Sequence, residues 1–291
     1  MNAMKGSEPR RALRFRFRNA DVALENFSPR ATLLDWLREE QGARGVKEGC
    51  GEGDCGACTV VLSRPTAGGG LSHMAVNACV LLLGQVDGAE VLTVEDLAED
   101  KELHPVQQAM VDLHGSQCGF CTPGIVMSLF ALYHSGEAAT RGAVCDQLAG
   151  NLCRCTGYRP IVDAAMLTCL GAPKDRFARK AAERRAALLA IADDCDLFVG
   201  DERRFFAAPA SEEALAALYG RHQDAVLLGG ATDVGLWITK GLADLKKIIW
   251  LGRVKGFDRI EERAASWPSG CSFRPASTRG LLMPLFHIGS R

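Results

Sequence analysis

Two groups of four cysteines have the spacing of metal ligands. The first group follows a C-x4-C-x2-C order, with a fourth cysteine after a longer gap: Cys50, Cys55, Cys58 and Cys79. This is the plant-type ferredoxin spacing, so it predicts a [2Fe–2S] cluster held by four thiolates. Glycines are interleaved with the cysteines at Gly49, Gly51, Gly53 and Gly56. They allow positive φ angles and let backbone N–H groups point at the cluster sulfurs.

The second group is a C-x2-C pair and a C-x-C pair that interrupt a run of predicted helices: Cys118, Cys121, Cys153 and Cys155. Each pair leads into a helix N-terminus, where unpaired N–H groups and the positive dipole end favour an anionic group. Either pair alone would indicate little. Because both pairs follow a ferredoxin pattern, they predict a second [2Fe–2S] cluster that joins two interhelical turns.

Three other interpretations of the first loop compete. Residues 51–56 match the G-x-G-x-x-G dinucleotide fingerprint, but that motif should follow a strand and open a helix. Four thiolates also suit zinc, although the x4 gap and the long glycine loop fit zinc poorly. A disulfide framework is disfavoured in a chain without a secretory signal. Among the other cysteines, Cys145 and Cys169 lie in apolar helical patterns and are predicted to be small buried residues.

Composition limits the class of protein. The chain has 291 residues, 47% of them hydrophobic, which is enough for two or three domains with their own cores. A formal net charge of −1 gives no overall reason to expect binding to nucleic acid or membranes. Met1–Arg18 has no apolar signal segment, and the longest apolar run, near residues 74–83, is too short to span a bilayer. These features predict a cytoplasmic protein.

Residues 11–97 are predicted to form a small α+β unit. Arg14–Arg18 alternates basic and aromatic side chains, which is the period-two pattern of a half-buried strand. Thr32 is placed to open a helix whose apolar face includes Trp36. The predicted elements are strands over 22–27, 58–62 and 72–76, a helix over 33–40, and extended pieces over 80–83 and 90–94.

Residues 98–172 are predicted to be helical, with helices over 106–113, 124–134, 141–148 and 160–170. A solvated linker helix rich in Lys and Arg is predicted over 173–204, and a third unit over 205–291. In that unit Ser211 is predicted to cap a helix that reaches Tyr219, with short strands over 225–228 and 246–250. The first of these strands runs into Gly229–Gly235, a loop type that can cradle a pyrophosphate. No clear period follows Glu262.

Together these motifs closely resemble those of the molybdenum hydroxylase family, in particular its small subunits of the bacterial xanthine dehydrogenase type. The motifs are residues 48–58, 117–124, 151–158 and 228–235, and they span residues 11–262 in the family's order. The resemblance implies an α+β multidomain chain. Its parts would be a ferredoxin-like β-grasp [2Fe–2S] domain, a four-helix [2Fe–2S] domain and the start of an α+β FAD domain. That last domain is of the vanillyl-alcohol-oxidase and CO-dehydrogenase-flavoprotein type.

The resemblance also implies roles for individual residues. The first cysteine group would ligate the ferredoxin-like cluster, and the second group the cluster of the helical domain. Gln117 would lie beside the molybdopterin of a partner subunit. The FAD pyrophosphate would be wrapped by Leu228, Gly229, Gly230, Ala231, Thr232 and Asp233. No catalytic residue is expected in this chain, because hydroxylation would take place on the large subunit.

The implied function is electron transfer within a xanthine dehydrogenase of purine catabolism. Electrons would pass from the molybdenum of a large partner subunit through two clusters to FAD and NAD+. The assembly would be a heterodimer, or a dimer of heterodimers. The alternatives are an aldehyde or N-heteroaromatic hydroxylase, a flavin-free two-cluster carrier, and a structural zinc protein. Family small subunits continue further, so residues after 262 are interpreted as an out-of-frame or prematurely ended product, which would leave the FAD pocket incomplete.

Overall fold

The computed structural model of the chain describes residues 8–100, 102–136 and 138–257. Its first unit is a five-stranded mixed sheet with the strand order β2-β1-β5-β3-β4. Strands β1 and β5 are parallel, whereas β3 and β4 form an antiparallel hairpin. The strands are β1 (Leu13–Phe17), β2 (Ala20–Leu24), β3 (Thr59–Pro65), β4 (Leu71–Asn77) and β5 (Glu90–Leu92).

Side-chain alternation explains the packing of β1 on the first helix. Leu13, Phe15 and Phe17 are buried, and the rings of both phenylalanines meet Trp36 edge-on at 5.0 and 5.4 Å. Helix α1 (Leu33–Asp35) continues directly into a π-helical turn over Trp36–Glu40. The Thr32 hydroxyl accepts a hydrogen bond from the Asp35 amide and so caps the helix. The predicted strand, cap and helix are therefore confirmed.

Four helices follow, as predicted, and the second of them packs against β3 and β4 of the first sheet. They are α2 (Pro105–Asp112), α3 (Thr122–Tyr133), α4 (Arg141–Gln147) and α5 (Arg159–Thr168). Helix α3 is central: nine of its residues are buried, and Ile125, Leu129 and Phe130 are fully so. Its N-cap is Cys121, and Thr122 is the first residue of the helix.

The C-terminal unit is a four-stranded sheet with the order β6-β7-β9-β8. Ser211 caps α8 by accepting the Ala214 amide, as predicted. The elements from residue 176 onward are α6 (Arg176–Arg179), α7 (Ala181–Ile191), β6 (Leu197–Gly200), β7 (Phe205–Ala208), α8 (Glu212–Arg221), β8 (Val226–Leu228), α9 (Val234–Thr239) and β9 (Lys247–Trp250).

Three sequence-based predictions were wrong. Residues 80–83 are not extended but form a turn that enters a 3-10 helix over Leu83–Val86, since a short apolar run fits either conformation. Cys169 is buried as predicted, but Cys145 is exposed on α4. The stretch predicted as a solvated linker helix does contain α6 and α7, but it is not solvated throughout, because it includes strand β6 and the buried Phe177. The unpatterned tail after Glu262 lies outside the described residues.

A buried ionic network joins the C-terminal unit to the first sheet. The Asp87 carboxylate accepts two hydrogen bonds from Arg10, at 3.0 and 2.7 Å, and pairs with Arg253 at 2.9 Å. Asp193, from the segment after α7, pairs with the same two arginines. The guanidinium of Arg64 donates to the Asp87 carbonyl oxygen at 2.7 Å, and burial lowers the pKa of Arg64 to about 10. We call these residues the Asp87 network.

Candidate iron–sulfur sites

The first cysteine loop, residues 49–58, directs backbone amides at thiol sulfurs. The amides of Glu52 and Cys55 each lie 3.4 Å from Cys50 Sγ. Burial raises the pKa of the Cys50 thiol, but these hydrogen bonds outweigh that effect and lower the pKa. The loop achieves this with left-handed backbone at three positions, where φ is +66°, +82° and +67°: Gly51, Gly53 and Gly56. At Cys50 the loop therefore favours the thiolate, which is the form that binds iron, whereas burial raises the pKa of Cys55.

The other two cysteines of this group are buried opposite each other. A hydrogen bond from the Cys79 thiol lowers the pKa of Cys58 to about 7. The Gly53 amide donates to Cys79 Sγ at 3.2 Å. At Gly49 an added Cβ would lie 2.8 Å from Cys55 Sγ, so only glycine leaves that sulfur its space. Four sulfurs, amides directed at them and a glycine-lined cradle fit a [2Fe–2S] cluster.

The second cysteine group is assembled from two interhelical turns. Cys121 lies within hydrogen-bonding reach of Cys153, and Cys118 of Cys155, so the predicted pairs do meet across the turns. Cys118 and Cys155 are exposed, and Gln117 is exposed beside them. This group therefore opens onto the molecular surface.

Two side chains fix the second of these turns. The Tyr158 hydroxyl oxygen accepts a hydrogen bond from the Cys153 amide at 2.7 Å. Thr156 Oγ1 lies 3.2 Å from Cys153 Sγ. Tyr158 itself has a φ of +66°, a conformation that is strained for a bulky residue. This backbone conformation lets the turn lead into α5 while the Tyr158 hydroxyl stays hydrogen-bonded to the Cys153 amide.

The two cysteine loops touch at what we call the inter-loop contact. The Leu152 amide donates to the Cys55 carbonyl oxygen at 2.9 Å, and Asn151 Nδ2 donates to the Gly56 carbonyl oxygen at 3.1 Å. The approach leaves no room for side chains. A Cβ on Gly124 would lie 2.0 Å from Gly56 O, and one on Gly56 would lie 2.2 Å from Gly150 O.

The predicted flavin loop follows strand β8 and precedes α9. Gly229, Thr232 and Asp233 are exposed, whereas Ala231 is buried with a φ of +75°. The loop is tied to the first unit, because Gln85 Nε2 donates to the Gly229 carbonyl oxygen at 3.4 Å. The predicted strand and the loop after it are confirmed, whereas helix α9 was not predicted. The exposed residues leave the loop accessible to a ligand.

A cleft of about 610 Å³ lies between the first cysteine loop and α9. Cys50 and Cys79 line one side of it, and Ile238 and Lys240 line the other. Lys240 Nζ bridges the cleft, pairing with Glu52 at 2.7 Å and lying 3.5 Å from the Cys50 carbonyl oxygen. The first cysteine group therefore faces the C-terminal unit.

Sequence reasoning missed a buried group of two histidines and an aspartate. His104 Nε2 and His134 Nε2 lie 2.7 and 2.8 Å from the same oxygen of Asp175. Burial raises the pKa of Asp175, but hydrogen bonds from both rings and from the Ala178 amide outweigh it, so the pKa lies below its usual range. No local motif signals this group, because its members are dispersed along the chain.

The composition of this group suits a metal ion, but its hydrogen bonds do not. Nδ1 of His104 accepts the Val106 amide at 3.2 Å and so carries no proton. In a neutral ring the proton is then on Nε2, the atom that a metal would need. We therefore interpret the three side chains as a hydrogen-bonded staple between α2, α3 and α6.

His73 on β4 extends this staple to the first sheet. Its ring contacts the His134 ring at a centroid distance of 4.5 Å, and its Nδ1 lies 2.8 Å from Ser63 Oγ. Burial, followed by the nearby His134 and Arg184, lowers the pKa of His73 to about 3, while Asp175 opposes that shift. His73 is therefore neutral in the folded protein at physiological pH.

This neutrality predicts a pH dependence. In the unfolded chain His73 gains a proton below about pH 6.5, whereas in the folded chain it stays neutral to much lower pH. The contribution of neutral His73 to the free energy of unfolding is therefore complete above about pH 6.5 and is lost as the pH falls below it. At about pH 5 the expected loss is about 2 kcal/mol. His73→Asn, which can keep the Ser63 hydrogen bond, should flatten the difference in melting temperature between neutral and acidic buffer. The exposed His114→Asn should not, and equal pH profiles for the two variants would contradict the prediction.

Comparisons with known proteins agree with this geometry. The family described as "2Fe-2S iron-sulfur cluster binding domain" matches residues 19–83, and the "[2Fe-2S] binding domain" family matches residues 93–166. The chain is 47% identical over 152 residues to a xanthine dehydrogenase of Blastobotrys adeninivorans, and 47% identical over 151 residues to aldehyde oxidase 2 of Cavia porcellus. These matches cover 52% and 51% of this chain but only 11% of each relative.

A solved structure, quinoline 2-oxidoreductase from Pseudomonas putida 86, is 32% identical with a TM-score of 0.47, covering 60% of this chain and 96% of that one. The fold and the two matched domains define an iron–sulfur protein with two [2Fe–2S]-binding domains. Through them the chain belongs to the molybdenum hydroxylase family, which includes xanthine dehydrogenases and aldehyde oxidases. Among the described residues, no helix combines the length and apolarity needed to cross a membrane.

Proposed function

We propose that this chain is the electron-transfer component of a xanthine dehydrogenase, serving a molybdenum-containing partner subunit. One observation carries the proposal: the two cysteine groups lie on loops that hydrogen-bond to each other, from Leu152 to Cys55 at 2.9 Å. When bound, [2Fe–2S] clusters supply one-electron carriers at both sites. In this proposal the clusters would act in series, which is supported by the exposure of the second cysteine group and by the first group facing the C-terminal unit.

The proposed ligands are the eight cysteines of the two groups. The chain's own contribution is to direct backbone amides at sulfur. The Glu52 and Cys55 amides lower the pKa of Cys50, and the Gly53 amide opposes the rise in the pKa of Cys79 that Cys58 and burial cause. Leu228–Asp233 is proposed to contact the pyrophosphate of FAD, from which NAD+ would be reduced. Gln117, exposed beside Cys118, is proposed to lie at the partner's pterin. An aldehyde hydroxylase is the second candidate, because a xanthine dehydrogenase and an aldehyde oxidase match this chain at the same identity.

The test is to purify the chain anaerobically and quantify iron, labile sulfide, zinc and flavin. Dithionite reduction should give two distinct S = 1/2 EPR signals. Cys79→Ser should abolish one signal and Cys118→Ser the other. Cys145→Ser, at an exposed cysteine outside both groups, should keep both. Zinc without sulfide would refute the proposal. Clusters without flavin in a stable monomer would favour a free carrier.

The identity of the partner and substrate needs a separate experiment. The chain should be co-expressed with a candidate molybdenum subunit, and the purified complex should be offered a purine, an aldehyde and an N-heteroaromatic compound. Urate production from xanthine with NAD+ reduction supports the first candidate. Oxidation of an aldehyde but not a purine supports the second.

The contact between Thr156 and Cys153 leads to a further prediction. A hydroxyl that donates to a ligand sulfur stabilises the more negative, reduced state. Thr156→Val should therefore lower the reduction potential of the second cluster by about 20–60 mV, since one hydrogen bond contributes about 0.5–1.5 kcal/mol. A redox titration followed by EPR measures the potential. Thr168→Val, which removes a hydroxyl bonded to the Ala164 carbonyl, is the matched control; equal potentials in the two variants would refute the role of Thr156.

A further inference from the structure

The Asn151 side chain is buried between the two iron–sulfur domains, with 4% of its surface exposed. Its Nδ2 donates to Gly56 O at 3.1 Å and lies 3.2 Å from Thr59 Oγ1. Its Oδ1 accepts the Ser128 hydroxyl at 2.6 Å. One amide thus joins the first cysteine loop, β3 and α3. The amide nitrogen donates to the first cysteine loop and β3, whereas the amide oxygen accepts from α3, so the nitrogen and the oxygen bind different elements.

The sequence positions of these partners explain why the site matters. Asn151 lies two residues before Cys153, and Gly56 follows Cys55 directly. Because Leu152 also donates to Cys55, two hydrogen bonds from neighbouring residues hold the segments that carry proposed ligands of both clusters. Ser128 belongs to the helix that Cys121 caps, so it ties the other turn of the second site to the same amide.

We propose that Asn151 is a positioning residue that fixes the separation of the two cluster sites and thereby their electronic coupling. This inference rests on the proposed function. Coupling between two redox centres falls steeply with distance, whereas the fold tolerates small shifts between packed domains. Because the buried amide makes all three hydrogen bonds, a shift of one iron–sulfur domain relative to the other would leave a donor or acceptor without a partner. The amide therefore favours a single distance between the two cluster sites.

The measurement is the magnetic interaction between the two reduced clusters. When both are paramagnetic, their spin–spin interaction splits the EPR lines at low temperature, and the splitting reports their separation. We expect Asn151→Ala to narrow the splitting while iron, sulfide and the g-values of each cluster stay at wild-type levels. A variant that only lost stability would melt earlier with unchanged splitting. Unchanged splitting with both clusters present would overturn the proposal.

A second variant covers the case in which Asn151→Ala fails to retain both clusters. Thr59→Val removes one hydrogen-bond acceptor of Asn151 and keeps the branched shape, so a smaller narrowing is expected. Thr66→Val makes the same chemical change at the β3–β4 turn, where the Thr66 hydroxyl accepts only a local hydrogen bond from Gly70, and should match wild type. Identical splittings in Thr59→Val and Thr66→Val would reject the proposal. Failure of the proposed function is distinguishable, because wild-type protein would then lack iron and sulfide.

Discussion

Gly124→Ala is expected to force the two cysteine loops apart and to lower cluster occupancy. The new Cβ would lie 2.0 Å from Gly56 O and 3.1 Å from Gly56 C, and both are backbone atoms that cannot rotate away. Overpacking in a well-packed interior costs about 1–3 kcal/mol, and a backbone clash belongs at the upper end, about 3 kcal/mol. Iron and sulfide per chain, together with the melting temperature, measure the outcome.

Gly142→Ala is the matched control, because Gly142 also lies in the first turn of a helix. Its nearest neighbour to an added Cβ is Thr140 Oγ1, at 3.8 Å, an ordinary contact. Replacing a helical glycine by alanine at an open position stabilises by roughly 0.5–1 kcal/mol. The two substitutions should therefore change the free energy of unfolding in opposite directions: Gly124→Ala should lower it and Gly142→Ala should raise it. If Gly124→Ala melts no earlier than wild type and keeps full iron content, the close approach of the loops is wrong.

Asp87→Ala is expected to destabilise the chain by about 3–5 kcal/mol, the range measured when one partner of a buried ion pair is removed. The Asp87 side chain is 3% exposed, and its loss leaves Arg10 and Arg253 buried with only Asp193 to share. Because Arg253 belongs to the C-terminal unit, that unit should also loosen from the first sheet. Chemical unfolding measures the loss of stability, and faster cleavage in limited trypsin digestion would show that the C-terminal unit has loosened from the first sheet.

Asp21→Ala provides the comparison for an exposed pair. Asp21 pairs with Arg16 across the β1–β2 hairpin, with 59% of its side chain exposed. Exposed ion pairs contribute only about 0–1 kcal/mol. A similar loss of stability in the two aspartate variants would show that the Asp87 network does not hold the units together.

The sequence predicted best where a local rule applied. Alternation identified β1, Ser211 and Thr32 identified helix starts, and cysteine spacing identified both groups of sulfurs that the fold brings together. Prediction was poorer where packing decides. The apolar run at 80–83 carried no period, and Cys145 was judged buried although only Val144 of α4 is buried.

The residues that sequence reasoning missed act over long separations. Asp175 binds His104 across 71 positions, and Asn151 binds Gly56 across 95. Asn151 stands inside a recognised motif, but spacing alone gave it no role. Such pairings depend on which elements meet in space, and no periodicity or turn rule contains that information.

The inter-loop contact has a consequence for engineering by domain exchange. Gly124 fits against the Gly56 backbone, and Gly56 against Gly150, only because neither has a side chain, so the two iron–sulfur modules present complementary halves of one surface. A chimaera that grafts the helical module of a relative onto this ferredoxin module would join halves from different sources. Grafting both modules as a single block, with the boundary placed after α5, would transfer the matched pair intact.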